Sequence, residues 1–239
     1  PAGFTAPEYG TFVHDVLEHV LQDEMFSQTT IPGVLEDEEA RKKRLRRLTR
    51  EAVDRYVEEK LGGLEGQTAR FRYLFRRLLR SVQAVVDNVA EELLCSKFKP
   101  ISFELGFGAK EGLPPVELTF GDVTISITGF VDRVDGWEED GRLHLRVVDY
   151  KTGRKTFDMT EVWNGLGLQM LLYLFTLEKE GEKFYSIPVE GDGVLYLPAR
   201  EAVIQGSRSI SDEELQRKVN RELKRKGLVV NDRRILDAM

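Results

Sequence analysis

Apolar positions along the chain change their period several times. Phe12, Val13, Val16, Leu17, Val20 and Leu21 recur at helical spacing and predict a helix from Ala6 to about Met25. Thr5 with Glu8 three residues on has the spacing of a capping box, and Pro7 is tolerated in a first turn. A loop from Ser27 to Leu35 follows, broken by Pro32-Gly33. A long charged helix is predicted from Glu36 to about Leu61, ended by Gly62-Gly63. A third is predicted over Thr68 to Leu94, with Phe71, Leu74, Phe75, Leu78, Leu79, Val82 and Val85 as its apolar stripe.

At Pro100 the period falls to that of strands. Ile101–Phe107, Val116–Phe120, Val123–Val134 and Leu143–Lys151 are predicted strands. Gly108–Pro115 is a loop and Gly121-Asp122 a turn, so antiparallel neighbours are expected. Helical spacing returns from Met159 to about Lys179, where Leu166, Leu168, Leu171, Leu172, Leu174 and Phe175 make much of the surface apolar. A strand over Gly193–Pro198 and a helix over Ser211–Lys226 complete the reading. Ser211 and Glu214 repeat the capping-box spacing, and Gly227 is read as a C-cap. No internal repeat or low-complexity tract interrupts the chain, and only Gln205-Gly206-Ser207 reads as flexible.

The hairpin between Ile125 and Thr152 carries the candidate chemistry. Asp140-Gly141 is a two-residue hairpin signal, because such turns demand positive φ. With that turn Glu139 faces Arg142, and counting back places Asp132 opposite Asp149. Facing residues project to one side of a sheet, and Lys151, two residues past Asp149, joins them there. Like charges placed opposite each other destabilise a sheet. A divalent cation with oxygen ligands would compensate, and a neighbouring lysine could hold a water or steady charge on a phosphate. The same pattern also fits a solvated strand face of mixed charge.

Composition narrows the classes. The chain has 239 residues, 41% of them hydrophobic and 32% charged, which suits a sizeable core under a heavily solvated surface. No run is apolar enough to span a bilayer, and no signal peptide is expected. The chain opens on Pro-Ala-Gly-Phe and not on Met, so it is expected to be a piece of a longer protein. A single cysteine, Cys95, excludes an internal disulfide framework and a multi-cysteine metal site, and it reads as a buried, inert thiol. A reducing, cytoplasmic setting fits. A net charge of −6 argues against a dedicated high-affinity nucleic-acid binder. Arg41–Arg50 and Arg70–Arg80 are nevertheless strongly basic, and read either as solvated helix faces or as phosphate-facing surfaces.

Three further side chains have two readings each. His14 shares a helix face with Glu18 and is either structural or a ligand. Gln169 and Tyr173, four apart, project together and either satisfy buried hydrogen bonds or serve a site.

Taken in order, these residues resemble a known family. Glu104, Gly129-Phe130-Val131-Asp132 and Asp149-Tyr150-Lys151 resemble the PD-(D/E)xK nuclease pattern. Gly10 through His14 resembles the GxxxH motif upstream of RecB-type cores, and Gln169 with Tyr173 the QxxxY motif downstream. Within RecB-like nucleases the chain is similar to the C-terminal nuclease domain of AddB-type subunits of AddAB helicase–nucleases, over essentially its whole length. The resemblance implies an α/β fold: a central mixed sheet flanked by helices (residues 100–239), preceded by a helical part (1–99) carrying the GxxxH motif, together one nuclease domain.

The resemblance also implies roles. His14, Asp132, Asp149 and the backbone carbonyl of Tyr150 would be ligands of Mg²⁺, with Mn²⁺ as an alternative. Glu104 would hold a water on the metal or a second metal. Lys151 would position the attacking water and stabilise charge on the phosphate. Gln169 and Tyr173 would orient Lys151 or touch the DNA backbone. The implied activity is exonucleolytic hydrolysis of single-stranded DNA beside a helicase partner, AddA, in double-strand break repair by homologous recombination. AddB-type proteins often hold an iron–sulfur cluster on four cysteines; this chain carries none of them, so either those cysteines lie in a longer protein beyond this chain or the protein lacks the cluster. Two rivals stand beside this reading: a nuclease-fold domain that only binds DNA or scaffolds a complex, and a CRISPR-associated exonuclease of the same superfamily.

Overall fold

The computed structural model describes residues 5–27, 37–63, 68–108, 112–153, 157–164, 167–202 and 211–239. The predicted breaker Pro32-Gly33, the Gln205-Gly206-Ser207 stretch, Leu166 and the Leu74 side chain lie outside the described residues. The chain divides into two compact units, each described separately below.

The first unit comprises Pro1–Leu94, Tyr150–Lys155 and Leu197–Arg225. Helix α1 (Ala6–Leu21) opens with the predicted capping box: Thr5 and Glu8 satisfy each other's backbone N–H groups. It stops four residues short of the predicted Met25, where Asp23 caps a separate 3-10 turn, Glu24–Phe26. Helix α2 (Glu38–Leu61) starts at its N-cap Asp37 and ends on Gly62 at φ 69°, the left-handed position a C-terminal glycine serves. Helix α3 (Ala69–Cys95) buries Phe75, Val82, Val85, Val86, Val89, Ala90 and Leu93. Cys95 falls two residues past Leu93, off that stripe, and is exposed; the expectation of a buried thiol is corrected.

The second unit comprises Cys95–Asp149, Thr156–Tyr196 and Lys226–Met239. Its strands are β1 (Lys99–Phe107), β2 (Val116–Phe120), β3 (Val123–Ile127), β4 (Gly129–Glu139), β5 (Arg142–Lys151), β6 (Val189–Pro198) and β7 (Lys226–Val229). The predicted single strand Val123–Val134 is two, parted at Thr128. Among the described residues its first part pairs with β2 in a separate two-stranded sheet, and its second enters the five-stranded sheet ordered β1-β4-β5-β6-β7. The β1–β4, β4–β5 and β6–β7 pairs are antiparallel. At the starts of β5 and β6 the Leu143 N–H donates to Pro188, and at their ends the Ala199 N–H donates to Lys151. The two strands therefore run parallel, joined by a helical crossover as parallel neighbours require. The sheet is mixed.

The predicted helix Met159–Lys179 is also two, α4 (Met159–Trp163) and α5 (Gln169–Tyr185), with Gly167 at φ 69° just before the second. In the second unit Met170, Tyr173, Leu174 and Leu177 of α5 share one core with Val134, Leu143, Leu145, Val147 and Val194 of the sheet. Helix α6 (Asp212–Glu222) carries the predicted Ser211 cap but ends at Leu223. Gly227 is not its C-cap; it lies in β7 opposite Leu195, where an added Cβ would run into the Val194 carbonyl. A smaller cluster joins Ile235 and Ala238 of α7 (Arg233–Ala238) to Phe98 and Trp137.

Candidate nuclease centre

Asp140 and Gly141 have φ of 50° and 73°, the positive pair that a two-residue hairpin turn demands. Glu139 faces Arg142 as predicted, and the register runs without a shift to Arg133 opposite Val148. The next pair in that register is Asp132 opposite Asp149. On the other side of β4, Phe103 faces Arg133 and Leu105 faces Val131, so Glu104 falls opposite Asp132. Glu104, Asp132 and Asp149 thus form one row across β1, β4 and β5. Glu104 and Asp132 bring a carboxylate oxygen each within 4.8 Å of the other.

Two local features mark this row. Glu104 has φ 44°, a left-handed conformation that costs a non-glycine residue on the order of 1 kcal/mol or more and tends to persist where surrounding structure demands it. Burial, and after it the Asp149 charge, pushes the Tyr196 phenol above its usual pKa, so the Asp149 carboxylate is felt within the second unit. Lys151 follows Asp149 by two residues on β5 and shares its face through strand alternation.

The first unit holds the helix with the GxxxH motif. Gly10 lies against Thr152 of the same unit: an added Cβ would sit 3.6 Å from its hydroxyl. One turn on, the half-buried His14 ring meets the Tyr150 ring edge-on, with centroids 5.3 Å apart. His14 therefore lies beside the residue that directly follows Asp149.

Gln169 and Tyr173 act together. The Gln169 side-chain amide donates to the Tyr173 hydroxyl (2.7 Å), which donates to the Thr128 carbonyl (3.3 Å). Tyr173 is 0% exposed and stacks on Phe107 at 4.3 Å. Its hydroxyl lies so close over Gly129 that any Cβ there would collide with it, which is why glycine stands at the start of β4. A residue this buried pins the junction where the chain leaves β3 for β4, three residues before Asp132. It offers no surface to a DNA backbone, so the expectation that Tyr173 touches DNA is corrected; Gln169, which is exposed, keeps that reading.

Sequence reasoning missed a polar network on the opposite face of the same strands. Asp135 is ion-paired to Arg133 (2.7 Å) and Arg146 (2.8 Å), and all three are at most 1% exposed. Arg146 also lies over the Phe98 ring. Beyond it, His144 hydrogen-bonds Asp192 at 2.9 Å. Burial pushes the Asp192 carboxyl up to about 6, against the opposing pull of His144. The signal was present: the register that sets Asp132 against Asp149 also sets Asp135 against Arg146.

Among the described residues no helix is long and apolar enough to cross a membrane. Comparison with known proteins agrees with the geometry. The family model described as the PD-(D/E)XK nuclease superfamily matches residues 1–234. The chain is 34% identical, over 98% of its length, to a subunit of the ATP-dependent helicase/deoxyribonuclease of Clostridium novyi. It is 32% identical over 98% to the corresponding protein of Acetivibrio thermocellus, and 31% identical over 99% to that of Caldanaerobacter subterraneus subsp. tengcongensis. In each case it spans 20% of the relative's length. An acid row across three adjacent strands, a lysine two residues past its last member, and a match over nearly the whole chain lead to one assignment: this chain belongs to the PD-(D/E)XK nuclease superfamily.

Proposed function

We propose that the chain hydrolyses phosphodiester bonds of single-stranded DNA with Mg²⁺, as the nuclease part of an AddAB-type helicase–nuclease in double-strand break repair by homologous recombination. The observation that carries this is the row Glu104, Asp132 and Asp149 with Lys151 on its face. Acids aligned across a sheet repel one another, and a hard cation with oxygen ligands relieves that repulsion. The donor set fits such an ion: two carboxylates approach within 4.8 Å, and carboxylate, carbonyl and imidazole are all suitable ligands.

Asp132, Asp149, His14 and the Tyr150 carbonyl would hold the ion, with Glu104 beside them. His14 enters through its ring contact with Tyr150. A divalent cation in that place would polarise the phosphodiester and lower the pKa of water. The Lys151 ammonium would orient the attacking water and oppose the charge that builds on the phosphate. Gln169 and Tyr173 would act at one remove, as positioning residues that fix the start of β4 through Thr128. The names of the relatives support DNA as the substrate, a helicase partner (AddA in such complexes) and hence a cytoplasmic setting.

Lys151→Ala tests the reading, because it removes a charge and no core volume. It is expected to cut Mg²⁺-dependent cleavage of labelled single-stranded DNA by about 10²–10³-fold at an unchanged melting temperature. Unchanged cleavage would exclude a catalytic lysine.

A further inference from the structure

The two basic helices of the first unit are not equivalent. On α2 several cations are paired with acids. Arg44 pairs with Asp23 (2.8 Å) and Glu24 (3.0 Å), Arg47 with Glu51 (3.0 Å), and Arg55 with Asp15 (2.6 Å) and Glu59 (3.3 Å). Lys42 pairs with Glu38. The first half of α3 differs. From Ala69 to Arg80 it carries Arg70, Arg72, Arg76, Arg77 and Arg80 and no acid, and all five are exposed. The first acid of α3 is Asp87, and burial, its largest influence, raises the pKa of that carboxyl against the weaker effects of the Gln83 hydrogen bond and then of Arg46 and Lys42 on α2. Helical geometry puts most of these arginines on one arc. At about 100° per residue Arg70, Arg76, Arg77 and Arg80 span about 120° and lie opposite Phe75, Val82 and Val86, which anchor the helix in the core, while Arg72, three residues before Phe75, flanks the buried face. Tyr73, 57% exposed, stands in the middle of that arc, three or four positions from Arg70, Arg76 and Arg77.

We infer that this face of α3 is a binding track for single-stranded nucleic acid, the guanidiniums taking phosphates and Tyr73 taking the face of a base. The inference rests on the nuclease reading for the identity of the strand, and deepens it by naming a surface, outside the acid row, that holds the substrate. Charge complementarity and the exposed aromatic select the occupant. Guanidiniums suit phosphate oxygens, and an aromatic ring among cations is how strands are held without regard to sequence. An acidic protein segment would use the charges but has no base to stack on Tyr73. The ten-residue span from Arg70 to Arg80 is about 15 Å, room for about four nucleotides at the ~3.4 Å spacing of a stacked strand.

The test uses the full chain with labelled oligo(dT), with Ca²⁺ in place of Mg²⁺ to suppress cutting, in a salt titration read by fluorescence anisotropy. The triple variant Arg76→Gln, Arg77→Gln, Arg80→Gln leaves the buried face and the helix propensity intact, and its fold is checked by melting. It is expected to bind at least tenfold more weakly at low salt, with a salt slope shallower by about 2, as losing three single-strand phosphate contacts implies. Tyr73→Ala should weaken binding about fivefold or more while leaving the slope unchanged. The corresponding triple lysine variant should recover most of the slope. Affinity and slope equal to wild type in the glutamine variant would overturn the inference. So would an acidic peptide of matched charge that binds as tightly as the oligonucleotide, with Tyr73→Ala binding normally. Cleavage with Mg²⁺ keeps the two readings apart. Wild type that binds through these residues yet never cuts refutes the nuclease reading and leaves the track standing; variants that cut and bind like wild type do the reverse.

Discussion

The two faces of the β4–β5 pair handle charge in opposite ways. On one face Asp135 sits between Arg133 and Arg146, all three buried, so acid meets base at every contact. On the other, carrying the register one step beyond the Arg133–Val148 pair sets Asp132 opposite Asp149, acid against acid, and the β1 register sets Glu104 opposite Asp132. Both faces belong to the same two strands and alternate residue by residue, so strand propensity cannot explain the difference. A buried ion pair that neutralises itself is an architectural arrangement. A row of like charges has no such internal compensation, and under the proposed function a bound cation supplies it.

That contrast makes a divided prediction. Asp132→Asn should lower Mg²⁺-dependent cleavage by about 10²–10⁴-fold while the melting temperature stays level or rises, because one like charge leaves the row. Asp135→Ala should do the reverse. It strands two buried guanidiniums and should cost about 3–5 kcal/mol of stability, read by urea unfolding. If Asp135→Ala were as stable as wild type, the buried network would not be the structural counterpart of the acid row.

Gly129→Ala sits between these extremes. The new methyl must push the Tyr173 hydroxyl away, which should cost about 1–3 kcal/mol and release the Thr128 carbonyl from its donor. Cleavage should fall with it, since the start of β4 loses its anchor; the companion variant Tyr173→Phe, which keeps the ring but not the hydroxyl, should lower cleavage with a smaller loss of stability. Equal stability and activity in both variants would remove the positioning role.

How much of this was legible depended on distance along the chain. The hairpin turn, its register, and therefore the facing of Asp132 and Asp149 follow from Asp140-Gly141 and alternation, which are local. The capping boxes at Thr5 and Ser211 were legible for the same reason. What failed was set by partners far away. The break at Thr128 lies where Tyr173, 45 residues on, hydrogen-bonds the Thr128 carbonyl and packs over Gly129. Gly227 carries the signature of a helix end, yet its place is fixed by the close approach of β6. The apolar run after Met159 gives no sign of where a helix must restart, and the restart falls at Gln169 after Gly167. The buried Arg133–Asp135–Arg146 group was hidden because charged residues on a strand read as solvated until the other face is known to be covered.

The smallest expected effect concerns pH. The Asp192 carboxyl has its folded pKa raised by burial from the usual 3.8 to about 6. A raised folded value means that the folded state holds the proton more tightly. This group's contribution to stability is therefore full below about pH 4 and is lost as pH rises through about 6. Asp192→Asn, which can still accept from His144, should lack that limb. The difference in melting temperature, wild type minus variant, should fall between about pH 4 and about pH 6.5; a flat difference would show that burial does not act on Asp192 in this way.

The central claim is that the acid row is a cation site, and its most direct measurement is calorimetric. Ca²⁺ titrated into the wild-type chain, and into chains carrying Asp132→Asn or Asp149→Asn, reads binding without relying on cleavage. Saturable binding in wild type that is weakened at least tenfold in both variants, and unaltered in Glu138→Gln on the hairpin outside the row, is the result predicted. Binding of equal strength in all four chains, or none in wild type, would contradict it.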